Sequence, residues 1–331
     1  MMLEHYEPPF EITNQMLVSV SAISEKLGMI VAYRSLDTKP QLRRNNRIRS
    51  VHSSLKIESG SLSEGMVRAV LNNQTVIGPE KEIQEVKNAF AAYDRIGAVD
   101  PYSLKDQKEM HGIMTYLTVE ESGVFRRGAE GVFDGDRCIF MAPPPEMVQS
   151  LMESLFLWMK QNAEVVHPLI LSCVFHYEFV FIHPFSDGNG RMARLWQNVL
   201  LTRWNPVFQY IPLESQIEKF QDGYYSAIAA CNAGGSSTEF IEFMLARINE
   251  VLDEVLKQSS ADAGYSEYVS RLLAVMEYDT AYSAFALLER LHLKSKETLR
   301  QNYIDPAIEA GLVEMTIPDK PTSRNQRYRK R

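Results

Sequence analysis

Apolar positions recur at helical spacing along most of the chain. Ile12, Met16, Val20, Ile23, Leu27 and Ile30 predict a helix over residues 10–34, and Pro40 marks the break after it. A second helical stretch runs over 42–58. Ser61 and Glu64 have capping-box spacing and predict the start of the helix "LSEGMVRAVLN". Further helices are expected over 79–95 and, capped by Ser103, through His111 and Met114. The pattern changes at 123–145. There, β-branched and aromatic residues flank Asp134-Gly135-Asp136, which predicts a β-hairpin turning at the D-G pair. Pro145 suits the first turn of "EMVQSLMESLFLWMK", and Pro168 suits the start of a helix to Phe181. That last helix is apolar on nearly every face and is expected at the centre of the core. Met192, Leu195, Trp196, Val199 and Leu200 mark a helix packed on one face; two more are expected at 214–232 and 237–257.

"KQSSADAG", residues 257–264, is small and polar and reads as a linker. Beyond it lie three short helical patterns, then "GLVEMTI" and "RYRKR" around a polar turn. Three helices and a two-stranded ribbon suggest a winged helix-turn-helix. The expected organisation is mainly α: an N-terminal helical region 1–110, a core 111–257 and a C-terminal domain 265–331.

Composition narrows the functions open to the chain. Its 331 residues are 45% hydrophobic and 23% charged, ordinary values for a globular protein. The net charge of −7 argues against non-specific nucleic-acid binding by the whole chain. The last twelve residues, "KPTSRNQRYRKR", carry six basic side chains and no acid. With Lys296 and Arg300 on an expected recognition helix, they keep DNA open as a partner of the C-terminal segment alone. No apolar run is long enough to span a bilayer, and the N-terminus lacks a signal-peptide core. Three scattered cysteines suit free thiols. A cytoplasmic protein without a membrane partner is expected.

The densest chemistry lies in "HPFSDGNGRMAR", residues 183–194. Gly188, Asn189 and Gly190 precede a helix and tolerate the positive φ angles that aim backbone N–H groups at one point. With the helix N-terminus they predict an anion hole of phosphate size. Arg191 and Arg194 are three apart and could reach neighbouring phosphate oxygens. Asp187 is an acid beside a phosphate site, a conflict that Mg²⁺ would resolve. His183 is the group whose ordinary pKa lies near neutrality and is the candidate general base.

The same stretch resembles, without mismatch, the H-x-F-x-[DE]-G-N-G-R-x-x-R signature of the Fic family, eight fixed positions in twelve. The resemblance extends over residues 45–255. It implies a Fic helical core with a β-hairpin flap and transfer of AMP from ATP to a Ser, Thr or Tyr hydroxyl of a target protein, releasing pyrophosphate. His183 would be the base, Asp187 the Mg²⁺ ligand, the turn the anion hole and the arginines the phosphate clamps. The hairpin at 123–145 is similar to the flap on which a target segment docks by strand pairing. "YYSAIAACN" places Tyr224, Tyr225 and Asn232 where related enzymes keep groups near the nucleoside; helix packing is the competing reading. Other phosphate-containing donors, removal of AMP, and a homo-oligomer all stay open.

"SSLKIES" resembles the family's inhibitory motif [ST]-x-x-x-E-[GN]. Ser54 and Glu58 have its spacing and share a helical face, but Ser59 replaces Gly or Asn. The resemblance implies that Glu58 pairs with Arg194 and takes the place of the γ-phosphate. The alternative function is a DNA-binding regulator whose core only senses nucleotide.

Overall fold

A computed structural model describes residues 7–32, 40–134, 137–263, 266–277, 280–321 and 323–331. Helix α1 (Asn14–Ala32) starts where the Thr13 hydroxyl accepts from the Met16 N–H. It is followed by α2 (Pro40–Ile57), α3 (Glu64–Leu71), α4 (Glu80–Tyr93) and α5 (Leu104–Met114). Ser103 caps α5 as expected, its hydroxyl accepting from the Asp106 N–H. The cap of α3 differs from the Ser61–Glu64 expectation. Ser63 accepts from the Met66 N–H, while Ser61 is held by the Glu82 carboxylate on α4. Both serines can cap; the Glu82 contact decides which one does.

Strands β1 (Gly131–Asp134) and β2 (Arg137–Met141) form an antiparallel hairpin with Asp134 opposite Arg137 and a bulge between Val132 and Phe133. The turn expected at the D-G pair falls on Gly135 and Asp136, outside the described residues. The chain continues through α6 (Pro145–Asn162), α7 (Pro168–Ile182) and α8 (Asn189–Trp204). A 3-10 turn at Pro206–Tyr210 leads to α9 (Leu213–Lys219), α10 (Gln221–Gly234) and α11 (Thr238–Ala263). Residues 257–263, expected as a linker, continue α11, because no glycine or proline interrupts them.

The chain divides into two units, one of residues 1–28 and 47–252, the other of 29–46 and 253–331. In the first, α7 and α8 pack along each other. Phe175, Phe179, Leu195 and Trp196 are fully buried between their neighbours. Each such side chain contributes about 2–3 kcal/mol of apolar burial, so the two ends of this pair are a rigid base for anything between them. Proline sets both limits of α7. Pro168 occupies its first turn, and Pro184, one residue past the cap, cannot continue it.

In the second unit α12 (Glu267–Val275) precedes β3 (Ala281–Ser283) and α13 (Ala284–Arg290). Then α14 (Lys296–Thr298) runs through a π-helical turn, Leu299–Ile304, into α15 (Asp305–Glu309). The π turn precedes Pro306, which has no N–H to give to a regular helix. Strands β4 (Val313–Met315) and β5 (Arg327–Lys330) complete an antiparallel sheet of order β3-β5-β4. Leu272, Met276, Leu287, Leu299 and Ala307 lie in its own apolar core.

Among the described residues no helix is long and apolar enough to cross a membrane. Cys173 and Cys231 are free and buried.

Candidate active site

The loop between α7 and α8 is fixed from several sides. His183 ends α7 in a left-handed conformation, φ 51° and ψ 59°. Asn189 closes the loop on itself: its amide accepts from the Phe185 N–H at 2.9 Å and donates to the Phe185 carbonyl at 2.7 Å. Phe185 is buried and stacks face to face on His111, with ring centroids 3.6 Å apart. His111 Nδ1 accepts from the Gly123 N–H at 2.9 Å, so its proton is on Nε2, which donates to the Asp187 carbonyl at 3.0 Å. Burial pushes the His111 pKa down to about 4 and keeps this bridge neutral.

The positive φ expected of the G-N-G turn is confined to Gly188, at 80°. A Cβ there would also sit 3.1 Å from the Thr115 methyl. Asn189 and Gly190 already belong to α8. At Gly190 the Glu58 carboxylate lies where a Cβ would stand. That carboxylate therefore rests on the first turn of α8, where the helix N-terminus favours an anion.

Glu58 reaches this place from the end of α2. The Gly60 N–H donates to the Leu55 carbonyl and the Ser59 N–H to Lys56, each at 3.0 Å. These are the two bonds of a Schellman closure, with Ser59 left-handed at φ 69°. Gln221 donates to the Ile57 carbonyl at 3.0 Å. Arg194 Nη2 donates to Glu58 Oε1 at 2.7 Å and to the Ser54 carbonyl at 3.0 Å, and Nε donates to the Ser54 hydroxyl at 3.2 Å. The Arg194 side chain is 1% exposed and that of Glu58 is 38% exposed. Burial works against the Arg194 charge, but Glu58, Tyr224 and Tyr93 together outweigh it and the pKa is raised.

Arg191 and Arg194, expected as phosphate clamps, hold different acids. Arg191 is held by two acids, Glu85 and Asp187, each at 3.0 Å. Asp187 Oδ1 takes this bond and the Gly188 N–H at 2.5 Å, while Oδ2 faces Lys81 at 3.8 Å. No group of three metal-ligating side chains occurs among the described residues. A half-exposed carboxylate still fits Mg²⁺, which completes its shell with phosphate and water oxygens.

His183 is half-buried, and burial lowers its pKa. Its Nδ1 lies 3.3 Å from the Val180 carbonyl. A proton on Nδ1 serves that carbonyl and leaves Nε2 as the basic atom.

Of the residues expected near a nucleoside, Tyr224 is core. It is 2% exposed and its hydroxyl bonds His176 Nε2 at 2.9 Å. Asn232 accepts from the Tyr177 hydroxyl at 2.9 Å. Tyr225 is 48% exposed and packs edge-on against Tyr224. Lys81, Glu85 and Arg126 escaped the sequence reading because none stands in a motif, and His111 was read only as a helix residue.

The α7–loop–α8 base, with a β-hairpin beside it and the Glu58 carboxylate on Arg194, defines a class of mainly helical protein. Residues 101–201 match the Fic/DOC family, and residues 267–330 match the C-terminal domain of the filamentation-induced-by-cAMP protein Fic-like. A crystal structure of a Fic family protein from Desulfovibrio desulfuricans G20 is 38% identical, covers 98% of both chains and has a TM-score of 0.74. The chain belongs to the Fic family. It is 30% identical over 236 residues to the protein adenylyltransferase Fic of Aedes aegypti, covering 68% of this chain and 45% of that one. A match to protein adenylyltransferase fic-1 of Caenorhabditis elegans is 29% identical over 56% of this chain and 36% of the relative. The chain spans about half the length of the first curated relatives it matches.

Proposed function

We propose that this protein is a protein adenylyltransferase held inactive by its own Glu58. ATP is the donor and a Ser, Thr or Tyr hydroxyl of a target protein is the acceptor. The observation that carries the reading is the Glu58 carboxylate. It occupies the α8 N-terminus and Arg194 together, the two features a polyphosphate would use. A tethered carboxylate competes with the γ-phosphate at high effective concentration.

With Glu58 withdrawn, Arg194 is a buried cation lacking its carboxylate, which favours a phosphate in that place. The α8 N-terminus then cradles the phosphates. Asp187 would hold Mg²⁺ with those phosphates, and the ion, when bound, neutralises their charge. The target hydroxyl, presented beside the hairpin, gives its proton to His183 Nε2 as its oxygen bonds the α-phosphorus. Pyrophosphate leaves with the electron pair of the broken P–O bond. Tyr225 is the exposed ring available to the nucleoside, and Tyr224 packs edge-on against it.

The buried free thiols suit a reducing cytoplasm. A second reading is DNA contact by the C-terminal unit, whose helix order and β3-β5-β4 sheet agree with a winged helix. Its charges are partly compensated: Arg300 meets Asp305 at 3.4 Å, and Glu314 meets Arg329 and Arg331. The adenylyltransferase reading is therefore preferred.

The test is AMP incorporation and pyrophosphate release by Glu58→Gly in Mg-ATP, compared with the same chain carrying His183→Ala. Transfer should vanish in the double variant while ATP binding stays within about twofold. Transfer that survives the loss of His183 would remove the imidazole from the mechanism.

A further inference from the structure

Arg126 lies on the approach to β1, is 3% exposed, and has no task in the chemistry above. Its guanidinium donates to four main-chain carbonyls. Nε reaches His183 at 2.6 Å and Nη1 reaches Gly128 at 2.7 Å; Nη2 reaches Pro143 at 2.6 Å and Ile182 at 3.4 Å. The Arg126 N–H donates to the Pro184 carbonyl at 2.9 Å. Gly128 and Pro143 are the two feet of the hairpin, just before β1 and just after β2. Ile182, His183 and Pro184 end α7 and carry the imidazole.

None of these acceptors is a carboxylate. Burial disfavours the Arg126 charge and lowers its pKa, with Glu130 and Glu146 opposing from farther off. An apolar side chain would fill the volume without that cost. Only a planar fork with five donors can hold carbonyls from two chain segments in fixed directions; an ammonium offers three donors from one point. Three of the four bonds, to His183, Gly128 and Pro143, are short, as charge-assisted bonds are.

We propose that Arg126 is a positioning residue that keeps the hairpin and the His183 loop in register, so that a hydroxyl presented on the hairpin meets the imidazole. This rests on the reading of the hairpin as the target platform and of His183 as the base. Arg126 touches neither Arg194 nor Asp187 in any bond described above, so its loss should reach the transfer step and spare ATP binding. Three charged groups act on His183: Glu130 and Glu58 favour its protonated form, and Arg126 opposes it.

Arg126→Lys and Arg126→Ala are made in the full chain with Glu58→Gly. Three quantities are measured: amide hydrogen exchange over 128–143 and 182–186, the His183 imidazole titration by NMR, and AMP-transfer kcat with the KM for ATP. Both variants should exchange about tenfold faster in those two segments and no faster in α10. Transfer kcat should fall about tenfold or more with the KM for ATP within about twofold. Arg126→Ala should raise the His183 pKa, whereas Arg126→Lys, which keeps the charge, should not. Unchanged exchange in both segments, or kcat within about twofold of the parent, would overturn the proposal. If the Glu58→Gly parent transfers no AMP, the functional reading fails, and exchange and titration still decide the positioning role. If Arg126→Ala does not fold, Arg126→Lys carries the exchange test.

Discussion

Ser59 is where the chain departs from the inhibitory motif it resembles, and its backbone gives the position a physical meaning. The Schellman closure after Glu58 needs a left-handed residue, and Ser59 supplies it at φ 69°. A serine there costs about 1 kcal/mol or more relative to a residue without a Cβ. Gly60, the next residue, does not take the left-handed conformation, and a Cβ there would stand only 2.9 Å from the Leu55 carbonyl. The cap that holds Glu58 on Arg194 is therefore strained in this chain. Ser59→Gly should relieve it, raise the thermal midpoint and lower basal AMP incorporation by about fivefold. Stability unchanged or reduced, with basal incorporation unaltered or increased, would show that the cap does not govern inhibition.

At the scale of elements, the buried histidines make a prediction about acid. His176 on α7 bonds Gln197 on α8 and Tyr224 on α10. Burial pushes its pKa down to about 3. In the unfolded chain a histidine takes a proton near 6.5. Between these values the unfolded state binds more protons, so stability is fully present above about pH 6.5 and is lost as pH falls toward 3. His111, at about 4, acts with the same sign. The denaturation midpoint should fall between about pH 6.5 and 5, above the range where carboxylates dominate. His176→Gln should flatten that slope, and an equal slope in the variant would reject the assignment.

The same elements show what the sequence could disclose. Helices were legible where apolar positions repeat, and the limits of α7 where prolines stand. Residues 257–263 of the expected linker are helical, because small polar residues without a breaker are compatible with helix. The site was legible where it is contiguous: His183, Asp187 and the turn fall within one loop. Contacts across the fold were not. Arg126 and His111 bond main-chain carbonyls 57 and 76 residues away, and carbonyls carry no side-chain signature. Glu85 pairs with Arg191 from 106 residues away, a partner that the motif does not show.

For the whole molecule, the account turns on one rivalry. Helix α2 places Glu58 on Arg194 and the N-terminus of α8, the two features that the proposed function assigns to phosphate. On the proposed function, release shows in the rate of transfer more than in ATP affinity, because Glu58 displaces the γ-phosphate without closing the rest of the site. The measurement that tests this most directly is AMP incorporation by mass spectrometry across a range of ATP concentrations. It compares the unaltered chain, Glu58→Gly, Arg194→Ala and the double variant. The account predicts that Glu58→Gly transfers AMP about tenfold faster or more and that adding Arg194→Ala returns it to the starting level or below. A Glu58→Gly protein no faster than the unaltered chain at every ATP concentration, or one whose gain survives the loss of Arg194, would contradict it.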